Sequence, residues 1–365
     1  MKVDPMTRDY SGFFPSKAGH APAERKLSTL ERYGWQPYFS QQISVDALTQ
    51  TPPVRVVEVH RNALHVIGDA IDEHIPPLPN SAVGDWLLLD PSHPPSSVVL
   101  DRKSLLKRRA PGTDRSIQLI AANIDTAFIV SSCNQDFNVA RLERYIALAI
   151  EANIAPVVLL TKSDLVTSPE DYVAQARSLS ELVPILTLDA RGEAPGEMLS
   201  EWCKPGKTVA FLGSSGVGKS TLTNALAKSQ EVETGAIRES DAKGRHTTTR
   251  RQLYAIPNGC VVLDTPGMRE VQLTDVSSGI EEVFADLHAL GEQCRFRDCQ
   301  HETEPGCAVL AAVKDGDIDD ARLARWRKLK AEELFNTTSL AERKSKDKKL
   351  GKTIRQIMKH HGKRQ

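Results

Sequence analysis

Eight consecutive residues, Gly213-Ser214-Ser215-Gly216-Val217-Gly218-Lys219-Ser220, complete a G-x-x-x-x-G-K-[ST] pattern. Glycines at these places let backbone N–H groups wrap a β-phosphate. The lysine can reach the β- and γ-phosphates, and the last hydroxyl can ligate Mg²⁺. The pattern stands between an expected strand, 208–212, and an expected helix, 221–228, whose first residue Thr221 completes the nucleotide-binding set. A helix N-terminus there adds positive potential for an anion. A plain Gly/Ser turn is the bland alternative, and the strand-loop-helix context argues against it.

A phosphate loop does not choose between ATP and GTP. Thr161-Lys162-Ser163-Asp164 directly follows an expected strand, 157–160. A carboxylate there can accept from the ring N–H and exocyclic amine of guanine, and Lys162 can lay its alkyl stem against the base. Asp264-Thr265-Pro266-Gly267 also ends a strand, 260–263, where Asp264 can hold Mg²⁺ through water and Gly267 can donate its N–H to a γ-phosphate. Between these elements lies Gly244-Arg245-His246-Thr247-Thr248-Thr249, with Thr248 and Thr249 as the candidates to complete the Mg²⁺ shell.

A second cluster has different chemistry. Cys294, Cys299, His301 and Cys307 supply three thiolates and one imidazole within 14 residues. That is a tetrahedral Cys₃His set with no open position, the pattern of one structural Zn²⁺ fixing a loop that has little core of its own. The other cysteines, Cys133, Cys203 and Cys260, are dispersed along the chain and read as core residues.

In ordinary GTPases the base-reading motif follows the phosphate motifs, whereas here Asp164 precedes Lys219 by 55 residues. The G domain therefore reads as circularly permuted. The sequence resembles the RsgA (YjeQ/YloQ) family of circularly permuted GTPases that act on the small ribosomal subunit. The matching pieces are Ala82-Val83-Gly84-Asp85-Trp86, Ala121-Ala122-Asn123-Ile124-Asp125, Asp136-Phe137-Asn138 with Arg141-Leu142-Glu143-Arg144-Tyr145, and the nucleotide motifs above. The likeness covers about residues 50–330, and this set in this order is highly specific.

The resemblance implies GTP and GDP as ligands, the same four zinc ligands, and contact with the subunit's rRNA. Two departures stand out. Thr161 occupies the place of the usual Asn, a change that can loosen the loop. The second base loop is best matched by Leu188-Asp189-Ala190-Arg191-Gly192, from which only Ala190 is carried over. Met268 follows the Asp-Thr-Pro-Gly turn where many GTPases place a Gln that orients water, and a thioether cannot do that. His246 is the nearest substitute by sequence, and the resemblance points to it too. The expected consequence is slow intrinsic turnover accelerated by a ribosomal partner.

The elements that must position these groups fall into blocks. Residues 1–50 show no sustained periodicity and read as an N-terminal extension. Short β-rich runs at 54–59, 64–67, 85–89 and 98–100 suggest an OB-like barrel over 51–110. Strands at 126–130, 157–160, 184–188, 208–212 and 260–263 alternate with helices at 139–151 and 169–181, which implies a mainly parallel sheet covered on both faces over 111–275. A zinc-binding helical domain over 276–335 and a basic tail over 336–365 follow. The fold class is thus multidomain: an OB-like β-barrel, a circularly permuted α/β P-loop GTPase domain and a C-terminal zinc-binding helical domain.

The 365 residues carry 47 basic and 47 acidic side chains, but residues 321–365 alone hold 15 basic and 4 acidic. The remaining residues are correspondingly acidic, so the tail is the expected polyanion contact. No stretch reaches the ~18 apolar residues of a membrane span. The expectation is a soluble, cytoplasmic, monomeric GTP hydrolase that binds the small ribosomal subunit and assists its maturation, with Mg²⁺ entering together with GTP. An RNA-binding module with a non-catalytic nucleotide site is the main alternative, kept open by Met268, and an ATP-dependent P-loop enzyme is a third.

Overall fold

The computed structural model describes residues 27–109, 117–180, 182–192, 195–228, 251–256, 259–264 and 275–337. The first five strands are β1 (Pro53–Val59), β2 (Leu64–Gly68), β3 (Ile71–Ile75), β4 (Trp86–Leu88) and β5 (Val98–Val99). They pair antiparallel in the order β3-β2-β1-β4-β5 around Val54, Val56, Leu64, Val66, Ile75, Leu78, Leu87 and Leu89. This is the OB-like unit. Strand β3 was not expected from the sequence: Asp72, Glu73 and His74 are all exposed, so this edge strand shows no alternation of apolar and polar residues. Residues 27–50 form three short helices, Thr29–Arg32, Pro37–Ser40 and Val45–Gln50. Phe39, buried in the second, joins Trp35 against Trp86.

Strands β6 (Leu105–Arg109) and β7 (Ile117–Ala122), also unexpected, form a separate antiparallel hairpin. It leads into a junction where two of the family-like motifs meet. The Asn123 side-chain amide donates to the Gly84 carbonyl at 2.9 Å, and Ala122 N–H donates to the Val83 carbonyl at 2.8 Å. Gly84 has φ +92°, and a Cβ there would lie 2.1 Å from the Ala122 carbonyl oxygen, so only glycine permits this approach. Buried Arg55 spreads its guanidinium over the carbonyls of Tyr33, Gly84 and Asn123. Burial pushes its pKa down to about 10, which leaves it charged at neutral pH. Beside this junction, Asp125 accepts from Thr208 N–H and from the ammoniums of Lys103 and Lys207. Burial alone would raise its carboxyl; these partners hold it below the ordinary carboxylate range.

The central sheet is built from β8 (Thr126–Ser132), β9 (Ala155–Thr161), β10 (Ile185–Thr187), β11 (Thr208–Leu212), β12 (Gln252–Ala255) and β13 (Val261–Asp264). Their order is β10-β9-β8-β11-β13-β12, parallel except for β12, which pairs antiparallel with β13 and continues into β1. Alternate residues feed two cores. Phe128, Val130, Val157, Leu159, Val209 and Phe211 face one, while Ala127, Ile129, Val158, Leu160, Ala210 and Leu212 face the other. The helix between β8 and β9 spans Val139–Glu151, capped by the Asn138 side chain. The next helix, Pro169–Arg177, stops four residues short of the expected end; Ser178 and Ser180 turn their hydroxyls onto local backbone groups instead. The helix after β11 starts two residues early, at Lys219.

Beyond the sheet the chain is helical: Ser277–Val283, Ala285–Gly291, Ala308–Asp315 and Asp320–Thr337. Ile280, Val283, Phe284, Leu323, Trp326 and Leu329 join the same core that buries Leu142, Tyr145 and Ile146. This block therefore sits directly on the helix Val139–Glu151. No described helix is long and apolar enough to cross a membrane.

Candidate functional site

The carboxyl ends of parallel strands, where the strand order departs from the chain order, are where open α/β sheets bind ligands. Strand β11 ends at Leu212 and turns at Gly213, whose φ is +145°. A Cβ at Gly213 would fall 2.3 Å from the Val130 carbonyl oxygen, so the loop enters pressed against β8. Ser215, Gly216 and Ser220 are exposed while Val217 is buried, which pins the loop at its centre and leaves its rim to solvent. The Lys219 ammonium donates to the carbonyls of Gly213 at 2.9 Å and Ser214 at 2.5 Å.

The loop after β9 meets this one. Thr161 is fully buried, and its hydroxyl donates to the Val217 carbonyl at 2.6 Å. The loosening that Thr161 was expected to bring is therefore not seen: the hydroxyl ties the two loops directly. Lys162 takes a left-handed backbone, φ 58°, and Asp164 follows exposed in a single 3₁₀ turn, Ser163–Leu165. Past β10, Asp189 closes an Asx turn onto Arg191 N–H at 2.8 Å, and Ala190 is buried. A Cβ placed on Gly218 would lie 3.6 Å from Ala190 Cβ and 3.8 Å from Thr161 Oγ1. The phosphate loop, the Thr161–Asp164 loop and the Ala190 turn thus share one rim of the sheet.

Asp264 is the last residue of β13, which runs parallel beside β11. Thr265, Pro266, Gly267 and Met268, and the whole segment Gly244 to Thr249 with His246, Thr248 and Thr249, lie outside the described residues.

One contact on this rim was not anticipated by spacing. Arg141, in the first turn of the helix Val139–Glu151, donates to Ser214 Oγ at 2.5 Å and to both Asp136 carboxylate oxygens at 3.1 Å. In the sequence Arg141 stands out only as part of a motif. The 73 residues that separate it from Ser214 hide the contact from any sequence pattern.

The Cys/His loop lies in the helical block. The ligand atoms of Cys294, Cys299, His301 and Cys307 all fall within 4.8 Å of one another. Cys294 Sγ is 3.8 Å from Cys307 Sγ, and His301 Nδ1 is 3.4 and 3.3 Å from these sulfurs. A tetrahedral zinc ion with bonds of about 2.3 Å to sulfur and 2.0 Å to nitrogen requires edges of about 3.8 and 3.5 Å. The donor set therefore fits that ion, with Nδ1 as the imidazole ligand. Burial, then Lys330 and Arg327, hold His301 below its ordinary pKa, which favours the neutral ring a metal requires. Burial would raise the Cys294 thiol, yet the N–H groups of Ala308 and Val309 at the start of the next helix outweigh it and favour thiolate. Trp326 packs 5.5 Å from the His301 ring, and Arg327 donates to the His301 carbonyl.

The sequence profile described as RsgA GTPase matches residues 99–274. A Vibrio parahaemolyticus protein named Small ribosomal subunit biogenesis GTPase RsgA 2 is 45% identical over 352 residues, 95% of this chain and 98% of its own length. A Mesorhizobium japonicum protein named Small ribosomal subunit biogenesis GTPase RsgA is 48% identical over 317 residues, 85% of this chain and 91% of its own. Among solved structures, YjeQ from Thermotoga maritima superposes with a TM-score of 0.55 at 28% identity, covering 77% of this chain and 98% of that one. YloQ, titled a circularly permuted GTPase, shares the fold with a TM-score of 0.54 at 22% identity, covering 79% of this chain and 97% of that one.

Proposed function

This chain belongs to the RsgA GTPase family, and from that premise we propose that it hydrolyses GTP on the small ribosomal subunit and assists the subunit's maturation. The observation that carries the reading is the Thr161 Oγ1 to Val217 carbonyl bond, which locks a base-reading loop to a phosphate loop on one rim of the sheet. An ATP site has no use for a carboxylate at Asp164, whereas guanine presents two adjacent donors to it.

In this reading the N–H groups of residues 213–221 cradle the phosphates, with Gly213, Gly216 and Gly218 allowing the approach. Ser214, Ser215 and Val217 line the turn. Lys219 neutralises the β- and γ-phosphates. Ser220 ligates the Mg²⁺ that enters with GTP, and Asp264 holds it through water from the end of the neighbouring strand. Thr248 or Thr249 completes the shell, and Gly267 donates to the γ-phosphate. Lys162 and Ser163 support the base loop, Asp164 reads guanine, and Ala190 borders the base from the other side.

Water attacks the γ-phosphorus, the bond to the β–γ bridging oxygen breaks, and GDP and phosphate leave. Met268 cannot orient that water, so His246 does. The four-residue Cys₃His set holds one structural zinc ion, which supplies a cross-link and no chemistry. It fixes the loop beneath the C-terminal helix, whose basic continuation meets rRNA phosphate. In this reading the chain acts as a monomer in the cytoplasm, where its ribosomal partner works.

The deciding experiment measures GTP and ATP turnover with and without purified small subunits. GTP-selective hydrolysis accelerated by subunits is expected. Equal use of ATP would reject the role of Asp164. Tight GTP binding with no turnover under either condition would favour an RNA-binding module with a passive nucleotide site.

A further inference from the structure

The helix Val139–Glu151 touches two functional regions within its first two turns. At its start, Arg141 grips Ser214 Oγ and the Asp136 carboxylate. Ser214 is also the residue whose carbonyl accepts from Lys219. The two cations therefore hold the same peptide of the phosphate loop, one through its side chain and one through its backbone.

Two and three residues further on, the partners change. Glu143 is fully buried, and both its oxygens accept from Arg325 Nε at 3.0 Å, with Arg322 3.7 Å away. Arg144 makes a two-pronged bond to Glu332, at 2.8 and 2.5 Å. Arg322 in turn donates to both oxygens of Asp286, at 2.7 and 2.8 Å. All of these partners except Asp286 lie on the C-terminal helix Asp320–Thr337, the element that carries His301's neighbours Trp326 and Arg327.

We infer that Arg141 is a positioning residue for the phosphate loop, and that the helix Val139–Glu151 carries the placement of the C-terminal helix to it through Glu143 and Arg144. A helical turn is stiff, so a shift imposed on Glu143 and Arg144 moves Arg141 with them. Arg144 holds Glu332 with both terminal nitrogens of its planar fork, whereas Arg141 reaches Ser214 and Asp136 through one nitrogen, Nη1. This route runs through a helix that precedes the phosphate loop in the chain. The catalytic meaning of the loop rests on the GTPase reading; the contacts do not.

The Arg141–Asp136 pair is more than a third exposed at both ends, so removing it leaves the fold intact. That makes the coupling measurable by hydrogen–deuterium exchange of the 213–220 amides in the full-length chain, a readout independent of turnover. Four proteins are compared: wild type, R141A, E332Q and the double variant. Each single change is expected to speed exchange in the loop by roughly two- to fivefold, and the double variant is expected to match R141A alone, because E332Q acts through Arg141. In parallel, R141A is expected to lower kcat for GTP more than it raises KM. The inference is overturned if E332Q leaves the loop amides unchanged, or if the two effects multiply. Loss of GTP turnover in the wild-type chain would count against the GTPase reading alone.

Discussion

Around Gly213 the surroundings are core: all five residues of β11 are buried, Thr161 and Val217 are inside, and the β8 backbone lies within a van der Waals contact of the turn. Around Cys294 they are solvent: Glu292, Gln293, Arg295, Phe296, Arg297, Asp298, Gln300 and Glu302 are all exposed, and only His301 and Cys307 are buried. The nucleotide rim is held by a sheet with two hydrophobic cores, so its backbone is placed before any ligand arrives. The Cys/His loop has almost no apolar side chain to bury and depends on its donor atoms. One region is set by hydrophobic burial and the other, in the proposed reading, by metal coordination. The two therefore differ in what holds them together, whatever passes between them through the helix Val139–Glu151.

The largest expected effect separates them from the nucleotide side. Lys219→Ala removes the one cation of the phosphate loop and is expected to cut GTP turnover by about a hundredfold or more, while thermal unfolding of the C-terminal block stays unchanged. Steady-state kinetics with calorimetry checks both halves. A matching loss of C-terminal stability would erase the distinction between the regions.

Metal removal tests it from the other side. Chelation, or Cys307→Ser, is expected to lower the unfolding temperature of the helical block and raise protease sensitivity in residues 292–306. GTP binding, followed by a fluorescent analogue, is expected to change little. Unaltered stability after complete zinc loss would defeat the structural role.

A smaller change probes the seam inside the rim. Thr161→Val deletes the hydroxyl and leaves the Val217 carbonyl without its partner, at a cost of about 1–3 kcal/mol. Urea unfolding reads that loss, and the preference for GTP over ATP is expected to narrow with it. Thr161→Asn, which restores the family residue, is expected to keep both.

The same contrast explains what could be read from the sequence. The strand 208–212 and the helix 139–151 were legible to the residue, because a buried parallel strand and an amphipathic helix write their periods into the chain. The Cys₃His set was legible for a different reason: coordination demands residue types at short spacing, and the ligand atoms do meet. Strand β3 was not, since its middle residues face water. Nor was β12, four residues whose pairing to β13 and β1 depends on partners distant in sequence. The Thr161 and Arg141 bonds cross 56 and 73 residues, a separation at which no local pattern carries information. His246, Thr248, Thr249 and Gly267 remain expectations from motif and family.

The central claim, that the chain works on the small subunit as a GTPase, entails a hold on the subunit that depends on nucleotide state. It is tested most directly by measuring subunit affinity with a non-hydrolysable GTP analogue and with GDP at one fixed salt concentration. The account predicts binding tighter by about tenfold with the analogue. Equal affinities for the two states would contradict it.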